Sequence, residues 1–173
     1  KFKKLYVLGS HRILNPAHEG PDTFFKPISE LPFKSDYKIP TTYENLPKTE
    51  AEMMRLVCEQ VLLPKDLEII FIDTSLNQNS DSKTLQPNTT DTLRDFSNLN
   101  PIPGKYLLVS NQPFVARQTF NALSILPSEF TIAGIGDTAL STTPLRTFLD
   151  EIGRLLYEEL KYQHQFSLSE KFK

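Results

Sequence analysis

Glu68-Ile69-Ile70-Phe71-Ile72-Asp73 is the stretch on which the fold turns. Its apolar residues run without alternation, and three of them are β-branched. A strand with one face in water would alternate, so this one reads as covered on both faces, the pattern of a parallel sheet between helices. The flanking segments agree. Upstream, Thr49-Glu50-Ala51-Glu52 has the form of a capping box, in which Thr49 accepts from the amide of Glu52 and the Glu52 carboxylate reaches back. Met53, Leu56, Val57 and Gln60 follow at helical spacing, with Leu62 and Leu63 near the end before Pro64. Further upstream, Leu5 to Leu8 reads as a short buried strand closed by Gly9 and Ser10.

Downstream, residues 74–87 are rich in Asn, Ser and Asp and read as a polar loop. Asn88 then caps a helix through Phe96, with Leu93 and Phe96 inward and Asp91 in the first turn. Pro101, Pro103 and Gly104 turn the chain into a strand from Tyr106 to Val109. Pro113 suits the first turn of a helix carrying Phe114, Ala116, Phe120 and Leu123, which ends near Pro127. Phe130 to Ala133 is a further strand, closed by Gly134-Ile135-Gly136-Asp137. Pro144, behind Thr142 and Thr143, opens the last helix. Its stripe of Leu145, Phe148, Leu149, Ile152, Leu155, Leu156 and Leu160 is the strongest amphipathic signal in the chain and predicts core packing. Strands separated by helices return the chain to the same end each time, which makes the sheet mostly parallel. The expectation is a single α/β domain over residues 1–173, three-layered and Rossmann-like.

One segment breaks this rhythm. Between Asn15 and Pro47, Pro16, Pro21, Pro27, Pro32, Pro40 and Pro47 recur too often for a helix or a central strand. Phe24, Phe25, Phe33 and Tyr37 favour a covering loop pinned to the body. The chain also begins almost inside a strand, at Lys1-Phe2-Lys3-Lys4-Leu5, without a methionine. The natural chain is therefore expected to extend N-terminally.

Composition narrows the classes. Hydrophobic residues make up 39% of the 173 residues and charged ones 23%, with a formal net charge of −2. No strong field favours nucleic acid or an anionic membrane. The cluster Lys1, Lys3, Lys4 reads as a solvated end. No apolar run approaches the ~20 residues that span a bilayer, and a cytoplasmic location is expected. Cys58 is the one cysteine, so an intrachain disulfide is excluded, and its apolar surroundings predict a buried free thiol. His11, His18 and His164 lack metal-ligand spacing. There is no Gly-x-Gly-x-x-Gly fingerprint, phosphate loop or nucleophile elbow. Asn88-Thr89-Thr90 matches a glycosylation acceptor but reads as a helix cap.

In open parallel sheets, ligands sit at the carboxyl ends of the strands, where helix N-termini present free amides. Four segments are candidates for that rim: Gly9-Ser10-His11-Arg12, Asp73-Thr74-Ser75, Ser110-Asn111-Gln112 and Gly134-Ile135-Gly136-Asp137. Gly9-Ser10-His11 can put a turn and an imidazole near an anion, or can be a plain strand-to-loop turn. Asp73 can orient a base, bind a ribose hydroxyl or cap a neighbouring element. Glu52 is the capping-box partner, which leaves Glu50 freer to face the rim. Arg117 can hold a phosphate or carboxylate with two parallel hydrogen bonds, or can pair with a surface acid.

Taken together, Leu8-Gly9-Ser10, Thr49-Glu50-Ala51-Glu52, Ile72-Asp73-Thr74-Ser75, Asn88-Thr89-Thr90-Asp91 and the run from Val109 to Arg117 resemble, in order, the ElyC/SanA/YdcF family of bacterial α/β proteins. The YdcF branch is the nearest, through Gln112-Pro113 to Arg117. Against the family's pattern, Gly9-Ser10 stands for a glycine pair, Asp73 for a glutamate, and Asp91-Thr92 for a Glu-Asn pair, and the first strand has no counterpart. Either the natural chain begins earlier or another chain supplies that strand beside an open edge. The resemblance implies a link to bacterial envelope biogenesis and a small-molecule site around Gly9, Ser10, Glu50, Asp73, Asn88 and Arg117, to which the strand-rim reading adds His11 and Ser110. An anionic or adenosine-containing ligand, such as a nucleotide or S-adenosylmethionine, would suit it. Two functions follow as expectations. In the first, Glu50 or Asp73 supplies acid–base chemistry and Arg117 holds the anion. In the second, the protein is non-catalytic and uses the proline-rich loop and an open sheet edge to bind a partner chain or a second copy.

Overall fold

The computed structural model describes residues 2–16, 19, 24, 34–36, 38–78, 84–138 and 141–171, with side chains as far as residue 164. Phe25, Phe33, Tyr37, His18 and about half of the proline-rich segment expected to cover the body lie outside the described residues. The chain is α/β, with parallel strands alternating with helices in the Rossmann-like manner. Its described residues form two compact units, Lys1–Phe96 and Ser97–Lys173.

In the first unit, β1 (Lys4–Ser10) pairs in parallel with β2 (Glu68–Thr74), residue for residue from Lys4↔Glu68 to Ser10↔Thr74. Helix α1 (Glu50–Gln60) is the crossover between them. It begins where the sequence places it, with both halves of the Thr49/Glu52 capping box made. It stops at Gln60, so Leu62 falls beyond the helix and is exposed. Helix α1 lies on the ladder face of Val7, Gly9, Phe71 and Asp73, through Ala51, Met54 and Arg55. On the opposite face, Tyr6 meets Phe96 of α2 (Thr89–Asn98) edge to face, with ring centroids 4.9 Å apart. Helix α1 thus covers one face of the ladder, and α2 meets the other at Tyr6, the partner of Ile70, which agrees with the unbroken apolar run of β2.

The polar stretch after β2 is not wholly loop. Short strands β3 (Asn77–Gln78) and β4 (Thr84–Leu85) pair antiparallel within it. Four residues of strand are too few to carry a hydrophobic pattern, so only backbone pairing reveals them.

In the second unit, β5 (Lys105–Asn111) pairs in parallel with β6 (Thr131–Asp137), and α3 (Val115–Ile125) is the crossover. Two expectations are corrected here. Gly134-Ile135-Gly136-Asp137 does not close the strand but forms its second half, in register with Leu108 to Asn111. The glycines are needed for contact: a Cβ at Gly136 would meet Ser110 O and a Val115 methyl, so only glycine lets α3 lie that close to β6. Pro113 precedes the helix rather than entering it, since α3 starts at Val115 behind Phe114.

Helix α4 (Leu145–Lys171) packs against α3 and brings the third correction. Leu145, Leu149, Ile152, Leu156 and Leu160, expected in the core, are 53–72% exposed. What faces α3 is another stripe of the same helix, which includes Glu151 and Tyr162. The outer face of the β5–β6 ladder is likewise open at Val109 and Ile135.

Candidate functional site

The polar groups of the first unit converge at the carboxyl ends of β1 and β2. Ser10, the last residue of β1, is buried and donates its hydroxyl to Glu50 Oε2 at 2.6 Å. Glu50 is the first residue of α1, so a single hydrogen bond ties strand end to helix start. Gly9 makes this approach possible: a Cβ there would lie 2.8 Å from Ala51 Cα. The chain then runs outward. His11 N donates to Thr74 O at 2.8 Å, Glu50 N donates to Arg12 O at 2.9 Å, and Ile13 forms a bridge with Thr49.

Arg12 gathers the acids of this corner. Its Nη1 and Nη2 donate to the two Glu19 oxygens at 3.0 and 2.7 Å, and Nη2 also reaches Glu50 Oε1 at 3.4 Å. Glu19 in turn accepts from Asn15 N at 2.7 Å, which closes a compact loop. The hydrogen bonds to Glu19 hold the guanidinium pKa above its ordinary value, opposed by burial and aided by the Glu50 charge. Glu50 is thus the acceptor of both Ser10 and Arg12, a scaffold role.

Beside this network stands a more open pair. His11 Nε2 lies 4.0 Å from Asp73 Oδ1, with side chains 49% and 36% exposed. Asp73 Oδ2 accepts from Arg55 Nη2 at 3.1 Å, and the Arg55 guanidinium sits 4.4 Å from the Phe71 ring centroid, in cation–π range. The crevice below, between α1 and the ladder, has no room for a water-sized sphere. A ligand here would rest on the strand ends rather than enter the layer. Thr74, in register with Ser10, is buried, and its hydroxyl has no hydrogen-bond partner among the described residues.

Five of the eight residues singled out by sequence therefore meet in one place: Gly9, Ser10, His11, Glu50 and Asp73. Asn88 serves as the cap of α2, its Oδ1 accepting from Thr90 N at 2.8 Å and Asp91 N at 3.2 Å, while Asp91 accepts from Asn88 N at 3.0 Å. Ser110 and Arg117 belong to the second unit. Ser110 is a half-buried residue of β5 in register with Gly136. Arg117 donates through Nε and Nη2 to the Glu151 oxygens at 2.6 and 3.3 Å, and both side chains are largely buried. Of its two sequence readings, pairing with an acid is the one seen, although that acid is buried and not on the surface.

Sequence reasoning passed over Arg55, Glu19 and the role of Arg12. Arg55 was open to inference, being one helical turn beyond Ala51, which faces the sheet. Glu19 carried no signal, because a lone acid among prolines looks like solvated loop. Among the described residues, no group of three His, Cys, Asp or Glu could hold a metal ion, and no helix is long and apolar enough to cross a membrane.

The fold and this corner define a class, an α/β protein with a polar cluster at the ends of two parallel strands. No family model, curated protein or solved structure matches the chain.

Proposed function

We propose that the protein binds a small polar molecule, nucleotide-like or sugar-phosphate-like, at the carboxyl ends of β1 and β2, as its resemblance to the ElyC/SanA/YdcF family implies. The observation that carries this reading is the division of labour at that corner. Ser10, Glu50, Arg12 and Glu19 satisfy one another, while His11 and Asp73 remain accessible beside them. Asp73 would accept from ligand hydroxyls, as a carboxylate at a strand end accepts from ribose. His11 and Arg55 would face the anionic part. If the protein is an enzyme, His11 and Asp73 form the acid–base pair and Glu50 holds the frame, because Glu50 already serves two donors. Arg117, engaged by Glu151, supports the fold and not the anion. A link to bacterial envelope biogenesis rests on the resemblance alone.

The test is a thermal-shift screen of the chain against nucleotides, S-adenosylmethionine, sugar phosphates and polyprenyl-phosphate head groups. A ligand at ~100 times its dissociation constant should stabilise the fold by ~2.7 kcal/mol. That shift should vanish in Asp73→Asn and His11→Ala. A shift that survives both substitutions, or none with any compound, would sink the reading.

The second reading, an interaction protein, is favoured by a separate observation, the apolar surface left open on β5, β6 and α4.

A further inference from the structure

Helix α4 is apolar on two sides, and among the described residues only one of them has a partner. Toward α3 it turns Glu151, which binds Arg117, and Tyr162, whose ring meets Phe120 edge to face at 6.0 Å. On the other side, Leu145, Leu149, Ile152, Leu156 and Leu160 are exposed by 72%, 60%, 54%, 53% and 64%. At the helical pitch these five and Gly153 fall within an arc of about 100°, a continuous stripe about 22 Å long. At the same pitch two exposed charges border it, Arg146 on the Gly153 side and Glu159 on the Ile152 side. Arg154 pairs with Asp150 of its own helix at 2.9 Å, on the flank away from the stripe. A helix apolar on both sides is normally buried on both.

The order of residues along the stripe indicates what covers it. Counted from the midpoint between Ile152 and Gly153, Leu149 mirrors Leu156 and Leu145 mirrors Leu160. Laid antiparallel on itself, the helix puts Leu145 opposite Leu160, Leu149 opposite Leu156 and Ile152 opposite Gly153. The same register sets Arg146 opposite Glu159. A Cβ at Gly153 would have no neighbour within 4 Å, so that position is an open notch into which a facing Ile152 fits. A two-fold contact requires a patch complementary to itself, which a face meant for an unrelated chain does not. Covering it from both copies buries on the order of 1,000 Å², the lower bound for a specific association and the range of weak, concentration-dependent ones.

We propose that α4 pairs with α4 of a second copy of this chain, antiparallel, about a two-fold axis between Ile152 and Gly153. The contact uses none of the residues at the β1–β2 corner, so it stands or falls independently of ligand binding there.

Sedimentation velocity on the full chain, from low micromolar to several hundred micromolar, should show a monomer–dimer equilibrium. Leu149→Glu and Leu156→Glu should each weaken it at least tenfold while leaving helix content by circular dichroism unchanged. Cross-linking fixes the direction, in a Cys58→Ser background. Gly153→Cys should oxidise to a covalent dimer, whereas Leu145→Cys, about 22 Å from its copy in this arrangement, should not. A monomer at every concentration overturns the proposal, as does a dimer indifferent to Leu149→Glu. A monomer that Leu149→Glu unfolds means the face is covered within its own chain, which also overturns it. Equal cross-linking through Leu145→Cys overturns the antiparallel arrangement.

Discussion

The two units are built on one plan and put to different use. Each has two parallel strands, a crossover helix, and a glycine where helix and strand meet: Gly9 against Ala51 in the first, Gly136 against Val115 in the second. Each has an arginine paired with a glutamate. In the first unit, Arg12 and its acids are partly open and stand at the strand ends, with His11 and Asp73 alongside. In the second, Arg117 and Glu151 are turned inward between two helices, and the strands end in Asn111 and Asp137. The same pairing chemistry holds a candidate site in one place and a helix interface in the other. Burial makes the difference, because a charge withdrawn from water is committed to its partner, while a half-exposed one can still exchange it for a ligand.

The largest effect should come from breaking the buried pair. Glu151→Ala strands the Arg117 guanidinium and should cost ~3–5 kcal/mol in urea unfolding. Glu50→Ala should cost less, ~1–2 kcal/mol, since Arg12 retains Glu19 and water reaches the corner. Equal losses would break the comparison and make the first corner as structural as the second.

Next come the glycines. Gly9→Ala and Gly136→Ala should each destabilise by ~1–3 kcal/mol, because the added methyl meets backbone that cannot rotate away. A silent Gly136→Ala would mean that both α3 and the Ser110 carbonyl of β5 give way to the methyl, and the two units would no longer share a plan.

The smallest effect concerns pH. Burial raises the Cys58 thiol pKa, with the Lys34 charge opposing and Glu59 adding. The folded state then holds its proton where the unfolded chain has lost it. This contribution is complete below the ordinary thiol pKa of ~8.5 and fades as pH rises through the higher folded value. A slight fall in melting temperature above that pH, absent in Cys58→Ser, is the expected result.

How much of this was legible beforehand depended on the range of the interaction. The Thr49/Glu52 capping box, the Asn88 cap and the β2 run are local, set by residues within a turn or a few steps of one another, and the sequence alone determined them. It also determined the α/β alternation, and it brought Gly9, Ser10, His11, Glu50 and Asp73 forward, because a parallel strand followed by a helix places both ends at one rim. Tertiary structure decided the rest. That Gly134 to Asp137 continue a strand depends on a ladder partner more than twenty residues away. That Arg117 finds Glu151, and that one α4 stripe packs on α3 while the other stays open, depends on which side of a two-sided helix meets its neighbour. Periodicity shows that a face is apolar. Only three-dimensional packing selects what, if anything, lies against it.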